Sequence, residues 1–282
     1  MMPDASSWAV KLLVFLVGLA LGSFLNVVIT RVPRGEGVFR GRSRCPRCRT
    51  TLRWRDNVPL VSYLLLKGRC RFCGGAISRR YPAVELMTGG LALALWQSFP
   101  ASPLLLVYGP FCGALVALSA IDLEHRLLPD ILTLPGIALG LLLALVFPHL
   151  TFLQAAAGAL LGGAIFYGVS WVYRWLAARR GLTGDAAAGM GEGDVKLLAF
   201  IGAFLGVAAL PLVIFISAAL GSLAGIVLVL ARRRAPEQGG PEEGHRGQWR
   251  FTPVPYGPFL AAAALIYLFG GGELLRLVGG GN

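Results

Sequence analysis

The chain has 282 residues, of which 56% are hydrophobic and only 14% are charged, whereas soluble domains contain about 25% charged residues. This composition excludes an ordinary soluble protein and predicts an integral membrane protein. The formal net charge of +12 arises from 26 Lys and Arg against 14 Asp and Glu, so the loops that hold these charges predict the orientation in the membrane.

Five uncharged runs predict the membrane-spanning helices; they cover residues 12–30, 86–121, 131–173, 197–231 and 251–272. One helical crossing needs about 20 residues, so each of the three long runs is expected to cross twice. Prolines lie near the middle of these runs, at Pro100 and Pro103, at Pro148 and at Pro211, where they favour a turn outside the hydrocarbon. The first run shows no clear cleavage site and is expected to be a retained helix. The sequence therefore predicts an all-α polytopic membrane protein with eight transmembrane helices.

Basic residues lie almost entirely on one side of this arrangement. With eight spans, segments 31–80, 122–130, 174–196 and 231–250 share that side and contain 24 of the 26 Lys and Arg residues. The positive-inside rule assigns this side to the cytoplasm. Fourteen of the basic residues lie in segment 31–80. In a membrane protein this density favours topology and contact with anionic lipid headgroups, and no nucleic acid is expected as a partner.

Four of the five cysteines form two Cys-x-x-Cys pairs within segment 31–80. Cys45 and Cys48 are separated by 21 residues from Cys70 and Cys73, close to the spacing of structural zinc sites. Disulfides or free thiols are the alternative, and the reducing cytoplasm disfavours disulfides. Four sulfur ligands leave no open position for water. We therefore expect a structural Zn²⁺ in a small cytoplasmic zinc-ribbon-like domain between the first two transmembrane helices.

Two aspartates at the cytoplasmic boundary are candidates for catalysis. Asp122 follows the third predicted span and Asp194 opens the sixth, so both should lie at the same depth. Such a pair can share one proton and activate water against an amide. The alternative is that both are interface residues, with Asp194 stabilising a helix N-terminus. Gly189, Gly191 and Gly193 precede Asp194 and allow a close approach of another chain.

Other charged residues near this boundary have simpler interpretations. Asp185 is the rival for the second acid, but it lies in a loop well before the next apolar run. Asp130 follows Pro129 at a helix start, where a capping role is expected. Glu85 is expected to be interfacial or capping, and Lys196 is expected to anchor its helix by reaching the headgroups.

Eight motifs occur in one order along the chain. They are Gly22-Ser-Phe-Leu-Asn-Val-Val-Ile, the two cysteine pairs, the segment Trp54–Tyr63 between them, Arg80-Tyr-Pro-Ala-Val-Glu85, Asp122 through Asp130, Gly189-Met-Gly-Glu-Gly-Asp-Val-Lys-Leu197, and Pro255-Tyr-Gly-Pro-Phe259. In this order the chain resembles the type IV prepilin leader peptidases, bifunctional membrane aspartic peptidases of bacterial pilus and type II secretion systems.

The resemblance implies a catalytic pair, a substrate and a location. Asp122 and Asp194 would be the two catalytic acids, Asp194 being the acid of a GxGD motif supported by Gly191, Gly193 and Lys196. The substrate would be a prepilin or pseudopilin precursor, cut after a glycine at the cytoplasmic face of the bacterial inner membrane. The scissile bond would then lie between a basic leader and a hydrophobic helix.

The resemblance also implies a second activity, N-methylation of the new N-terminal residue with S-adenosylmethionine. This activity would belong to region 8–98, which contains helix 1, the four-cysteine domain 31–80 and helix 2. Region 103–231 would be the peptidase core, and 251–272 the last helix. No GxGxxG fingerprint of the soluble type assigns residues to the methyl donor.

Two other classes of function compete with this interpretation. One is a transporter or channel with a zinc-stabilised domain, but transporter acids generally lie near the membrane midplane and no predicted span has a charge in its interior. The other is a noncatalytic scaffold that recruits a pilus ATPase, for which loss of either Asp122 or Asp194 would leave function intact.

Overall fold

The computed structural model describes residues 7–39, 41–181, 191–234 and 255–278. Within these ranges the chain is helical, with two isolated antiparallel bridges, Arg44–Thr51 and Arg69–Ala76. The α-helices are α1 (Trp8–Arg31), α2 (Val61–Leu65), α3 (Arg80–Ser98), α4 (Leu105–His125), α5 (Asp130–Val146), α6 (Phe152–Arg179), α7 (Glu192–Leu205), α8 (Leu210–Arg234) and α9 (Gly257–Val278). Short 3-10 turns occupy Val32–Arg34, Trp54–Asn57 and Val207–Ala209.

Four helices of the described ranges are long and apolar enough to cross a membrane. These are Trp8–Arg34, Leu105–His125, Phe152–Arg179 and Val207–Ala231, and two shorter apolar helices cover Asp130–Val146 and Gly257–Gly271. The predicted all-helical membrane protein is confirmed at this level. The predicted number of eight crossings stays a prediction.

The turns between paired helices follow the predicted prolines in two of three cases. Pro100 and Pro103 lie between α3 and α4, and Pro148 lies between α5 and α6. The third turn differs. Helix α7 ends before Gly206, whose φ is +77°, and Pro211 is the second residue of α8. A proline in a first helical turn removes no helical hydrogen bond, so Pro211 begins a helix there and does not interrupt one.

The larger hydrophobic core lies around α4, α7 and α9. Phe111 of α4 stacks on Phe200 and Phe204 of α7 at centroid distances of 5.4 and 4.9 Å, and α9 contributes the fully buried Leu260. Helix α6 packs against α7. Gly158 of α6 and Gly202 of α7 touch so closely that a Cβ on either residue would overlap the carbonyl group of the other. Small residues of this kind allow membrane helices to pack backbone to backbone.

A second core joins α1 and α3 to the other side of α4. Ile29 of α1, Val84 of α3 and Ile121 of α4 are among its buried members. Gly22 of α1 lies against α3, where a Cβ would come within 2.7 Å of the Glu85 Cα. Helix α4 therefore belongs to both cores, and the segment between α1 and α3 is held beside its C-terminal end.

Candidate functional site

Two helix ends bring Asp122 and Asp194 together. Asp122 lies in the last turn of α4, which ends when Arg126 adopts a left-handed conformation and its N–H binds the Asp122 carbonyl at 2.9 Å. Asp194 lies in the first turn of α7, after the N-cap Gly191. The Asp122 side chain is 5% exposed and Asp194 is half-buried. The two carboxyl groups are close enough for the charge of Asp122 to act on Asp194.

The beginning of α9 completes this site. The Gly257 N–H donates to Asp122 Oδ2 at 2.9 Å, and a Cβ on Gly257 would lie 2.7 Å from that oxygen. A helix N-terminus favours negative charge, so this contact stabilises the ionised form of Asp122. Beside it the Tyr256 hydroxyl forms a 2.7 Å hydrogen bond with Ser217 of α8.

The loop between α4 and α5 supports the start of α7. A Cβ on Gly193 would come within 2.8 Å of the Leu128 side chain, so glycine is required for this close contact. The Lys196 amine binds Asp130 Oδ1 at 2.6 Å. The expected headgroup anchor is therefore an ion pair between α7 and α5. Pro129 is the N-cap of α5 and Asp130 its first residue, so Asp130 does not cap this helix.

The glycines around the second acid are described in part. The rival acid Asp185 and Gly189 lie outside the described residues. Gly191 is the first described residue of the GxGD motif, and a Cβ on it would lie 3.6 Å from Asp194 Oδ2. Gly257 is the residue of this site to which the sequence reasoning gave no role. The only signal for it was its place in the motif Pro255–Phe259.

The amino-terminal elements are attached to α4 and α3 by polar contacts. Arg80 pairs with Glu124 of α4 and donates to the Thr30 hydroxyl at 2.9 Å. Glu85 is 7% exposed and accepts the Leu60 N–H at 2.9 Å, so it joins α3 to the cysteine segment; its expected interfacial position stays a prediction. The cysteine segment is thereby fixed beside the end of α4 that carries Asp122.

The four paired cysteines form one cluster. Their sulfur atoms all lie within 4.8 Å of one another, and Cys45 and Cys73 are 3.9 Å apart. All four are free thiols. A tetrahedral ion with Zn–S bonds of about 2.3 Å requires sulfur atoms about 3.8 Å apart, so this donor set fits Zn²⁺. The fifth cysteine, Cys112, is buried in α4.

The two halves of the cluster are built alike. The Cys45 N–H binds the Thr50 carbonyl and its own carbonyl accepts from Arg49. Cys70 repeats this pattern with Gly75 and Gly74. These are the two tight knuckles that cysteine pairs form around a metal.

Hydrogen bonds within the knuckles favour thiolates at two of the positions. The hydroxyl and amide of Thr50 lower the pKa of Cys48 to about 6, and the amides of Cys73 and Phe72 lower the pKa of Cys70. The Gly75 amide also favours the Cys73 thiolate, but desolvation and the other thiols outweigh it and raise the pKa of Cys73 to about 11. Negatively charged thiolates this close together repel one another, and a cation bound among the sulfur atoms would offset that repulsion.

Known proteins place the chain in a family. The model for the bacterial peptidase A24 N-terminal domain matches residues 16–99, and the model for the type IV leader peptidase family matches residues 110–226. A prepilin leader peptidase/N-methyltransferase of Aeromonas salmonicida is 37% identical, covering 95% of this chain and 94% of the relative. The chain belongs to the type IV leader peptidase family.

Further relatives of this leader peptidase carry the same name. The protein of Burkholderia pseudomallei is 37% identical over 94% of the chain and 86% of its own length. That of Pseudomonas aeruginosa is 35% identical over 95% of the chain and 93% of its own length. No solved structure matches the leader peptidase at a significant level. The resemblance inferred from the ordered motifs is confirmed.

Proposed function

We propose that this leader peptidase cleaves prepilins and pseudopilins after glycine with Asp122 and Asp194 as its catalytic pair, and methylates the new N-terminal residue. Its relatives are prepilin leader peptidase/N-methyltransferases, so the chain is an enzyme with both reactions. The observation that carries the residue assignment is the meeting of two carboxyl groups at the adjoining ends of α4 and α7.

The surroundings of the two acids suggest different roles in cleavage. The Gly257 N–H favours an ionised Asp122, which takes a proton from water while the hydroxide attacks the scissile carbonyl carbon. In such a pair one acid keeps a proton while the other is ionised, and Asp194 donates this proton to the carbonyl oxygen. Asp122 then passes its proton to the leaving amine and the C–N bond breaks, while Asp194 regains a proton from a hydroxyl of the tetrahedral intermediate, which leaves a carboxyl group on the released leader and restores the pair.

The charge distribution supports the orientation of the site. Segment 31–80 carries 14 basic residues, which favours a cytoplasmic location at the bacterial inner membrane. In an eight-span arrangement α3, α5, α7 and α9 supply the crossings beyond the four long apolar helices. Both acids then lie at the cytoplasmic boundary, where a basic leader remains in the cytoplasm and the hydrophobic helix of the substrate enters the lipid. Region 8–98 would carry methylation and region 103–231 the peptidase.

The cysteine cluster is proposed to bind a structural Zn²⁺. Cys45, Cys48, Cys70 and Cys73 supply four sulfur ligands within 4.8 Å of one another. The set leaves no open position for substrate or water. The ion would therefore fold the segment between α1 and α3 and take no part in the chemistry.

Mass spectrometry of a prepilin tests the proposal. The detergent-purified chain is incubated with prepilin and S-adenosylmethionine, beside the variants Asp122→Asn and Asp194→Asn. Glu192→Gln is the matched control, since it removes an exposed carboxylate from the same turn of α7. We expect leader loss and one added methyl group with the unaltered chain and the control, and an uncut precursor with both aspartate variants.

Two results would contradict the assignment. Cleavage that survives Asp194→Asn would exclude Asp194 and make Asp185 the candidate for the second acid. Function that survives both substitutions would favour the noncatalytic scaffold.

A further inference from the structure

Helix α2 of the cysteine segment exposes one apolar face. The side chains of Val61, Leu64 and Leu65 are 51%, 71% and 77% exposed, and their spacing of i, i+3 and i+4 places them on one side of the helix. Ser62 and Tyr63, on the other side, line a cavity of the segment. Exposed apolar side chains that cluster in this way mark an interaction surface. We call these three side chains the apolar face of α2.

The contact between Leu60 and Glu85 shows how deep α2 begins along α1. A Cβ on Gly22 would come within 2.7 Å of the Glu85 Cα, so these two residues are level with each other. Gly22 lies nine residues, or about 14 Å, before Arg31, the first charged residue after the apolar run 12–30. Glu85 accepts the Leu60 N–H at 2.9 Å, and its side chain and this hydrogen bond together are shorter than that distance. Helix α2 therefore begins on the membrane side of Arg31.

A second loop of the cysteine segment reaches the same part of α1. The centroid of the Phe39 ring lies 6.0 Å from that of the Phe24 ring. Phe24 lies seven residues, or about 10 Å, before Arg31, in a helix that is long and apolar enough to cross a membrane. Phe39 is itself 91% exposed. Two separate loops therefore present uncovered apolar side chains beside the apolar part of α1.

The backbone around α2 suits a position in the membrane boundary. An unpaired N–H is costly where water is scarce, so irregular backbone at this depth needs partners within the protein. N–H groups at both ends of α2 have such partners: that of Leu60 binds Glu85, and those of Lys67 and Gly68 bind the Leu64 and Tyr63 carbonyls at 3.0 and 2.9 Å. The Glu85 carboxylate thus takes the place that water would have at the start of an exposed helix.

We propose that the apolar face of α2 and Phe39 insert together into the lipid leaflet that borders the cysteine segment, at the boundary between headgroups and acyl chains. Exposed basic residues precede and follow α2 in the chain, namely Arg53, Arg55 and Lys67, and they attract anionic headgroups. The same charges repel the rival occupant, a prepilin, whose leader is expected to be basic. The cysteine segment is then anchored to the bilayer as well as to α3. This anchoring does not depend on either proposed reaction.

Tryptophan fluorescence of the full-length chain in nanodiscs tests the insertion. The discs contain phosphatidylglycerol and phosphatidylcholine, with or without bromine on the acyl chains, since bromine quenches a tryptophan only at contact. Phe39→Trp and Leu65→Trp each add a tryptophan at a side chain that is exposed in the structure, so folding should be little affected. The emission of the added tryptophan is the difference from the unaltered chain.

The matched control is Glu36→Trp. Glu36 is exposed, and its N–H binds the Arg31 carbonyl at the charged end of α1. We expect brominated lipid to quench most of the added emission at positions 39 and 65 and little of it at position 36. Acrylamide, a quencher dissolved in the water, should give the reverse order.

Two results would overturn the insertion. One is quenching by acrylamide at position 39 or 65 as strong as at position 36, without quenching by brominated lipid. The other is protection from acrylamide that appears only after prepilin is added, because the substrate would then be the occupant of this face. Leu65→Trp combined with Asp194→Asn separates the anchoring from the proposed peptidase: cleavage should be lost, while the quenching pattern should stay the same.

Discussion

The two halves of this leader peptidase hold their functional residues by different means. In the half that we propose to be the peptidase, α4 to α9, the two acids lie at helix ends fixed by a packed core of aromatic rings and by the Gly257 N–H. In the amino-terminal half, α1 to α3, the cysteine segment is mostly loop and is held by two knuckles and by the Leu60–Glu85 contact. One site depends on packing and the other on hydrogen bonds and the proposed metal ion, so different perturbations should disable them.

The largest effect should follow from overpacking the peptidase half. In Gly202→Ala the new methyl group meets the Gly158 backbone, which cannot rotate away as a side chain could, so we expect a loss of about 3 kcal/mol or more of stability. Thermal unfolding in detergent and leader cleavage measure it. Gly163→Ala is the control, because its nearest neighbour is a methyl group at an ordinary 3.6 Å. Equal melting of the two variants would refute the packing argument.

Metal removal should disable only the amino-terminal half. In Cys45→Ser, which removes one of the four sulfur ligands, or after chelation, we expect the proposed Zn²⁺ to be lost and methylation to fail, because the cluster then no longer folds the segment. Leader cleavage should proceed near the rate of the unaltered chain. Elemental analysis of the purified protein and mass spectrometry of the pilin product give the two readouts. If cleavage fell in step with methylation, the two halves would not be separable.

A smaller and more local effect is expected at the start of α9. In Gly257→Ala the methyl group would meet Asp122 Oδ2 at 2.7 Å and displace the carboxylate, which should lower the cleavage rate about 10- to 100-fold. The melting temperature should change little. Gly113→Ala in α4, whose nearest neighbour is 3.8 Å away, should cleave normally. A parallel fall of stability and cleavage would mean that Gly257 acts on folding alone.

The smallest effect is expected at the ion pair of Lys196 and Asp130. Both side chains are partly exposed, at 30% and 56%, and such pairs contribute at most about 1 kcal/mol. Lys196→Met should therefore leave cleavage almost unchanged. A double-mutant cycle with Asp130→Asn measures the coupling. A large loss of cleavage in Lys196→Met alone would show that the amine acts on the acid pair directly.

The sequence was sufficient for features that local pattern determines. The spacing of the cysteine pairs predicted a cluster that the sulfur positions confirm. The parity of eight spans placed Asp122 and Asp194 at one depth, and both that depth and the number of spans stay predictions. Prolines predicted the turns on either side of α4 and α5. At Pro211 the same rule was wrong, because a proline suits a helix start as well as a turn.

The features that the sequence did not predict are contacts between residues far apart along the chain. The Gly257 N–H reaches an acid 135 positions away, and a backbone donor has no sequence signature of its own. Lys196 and Asp130 are 66 positions apart, so each alone looked like an anchor or a cap. The hydrogen bond from the Leu60 N–H to Glu85 was not predicted, because Leu60 belongs to a loop whose course the sequence does not determine.

Helix α4 belongs to both hydrophobic cores, and this limits how parts of related enzymes can be combined in one chain. One side of this helix fits α1 and α3, while another fits α7 and α9. In a hybrid protein whose two parts, from different relatives, are joined in the turn before α4, one side of α4 would pack against helices from the other relative. A hybrid of two relatives should therefore work only if α4 comes from the same relative as the helices that pack on both of its sides. We expect the two activities to be transferred together for this reason.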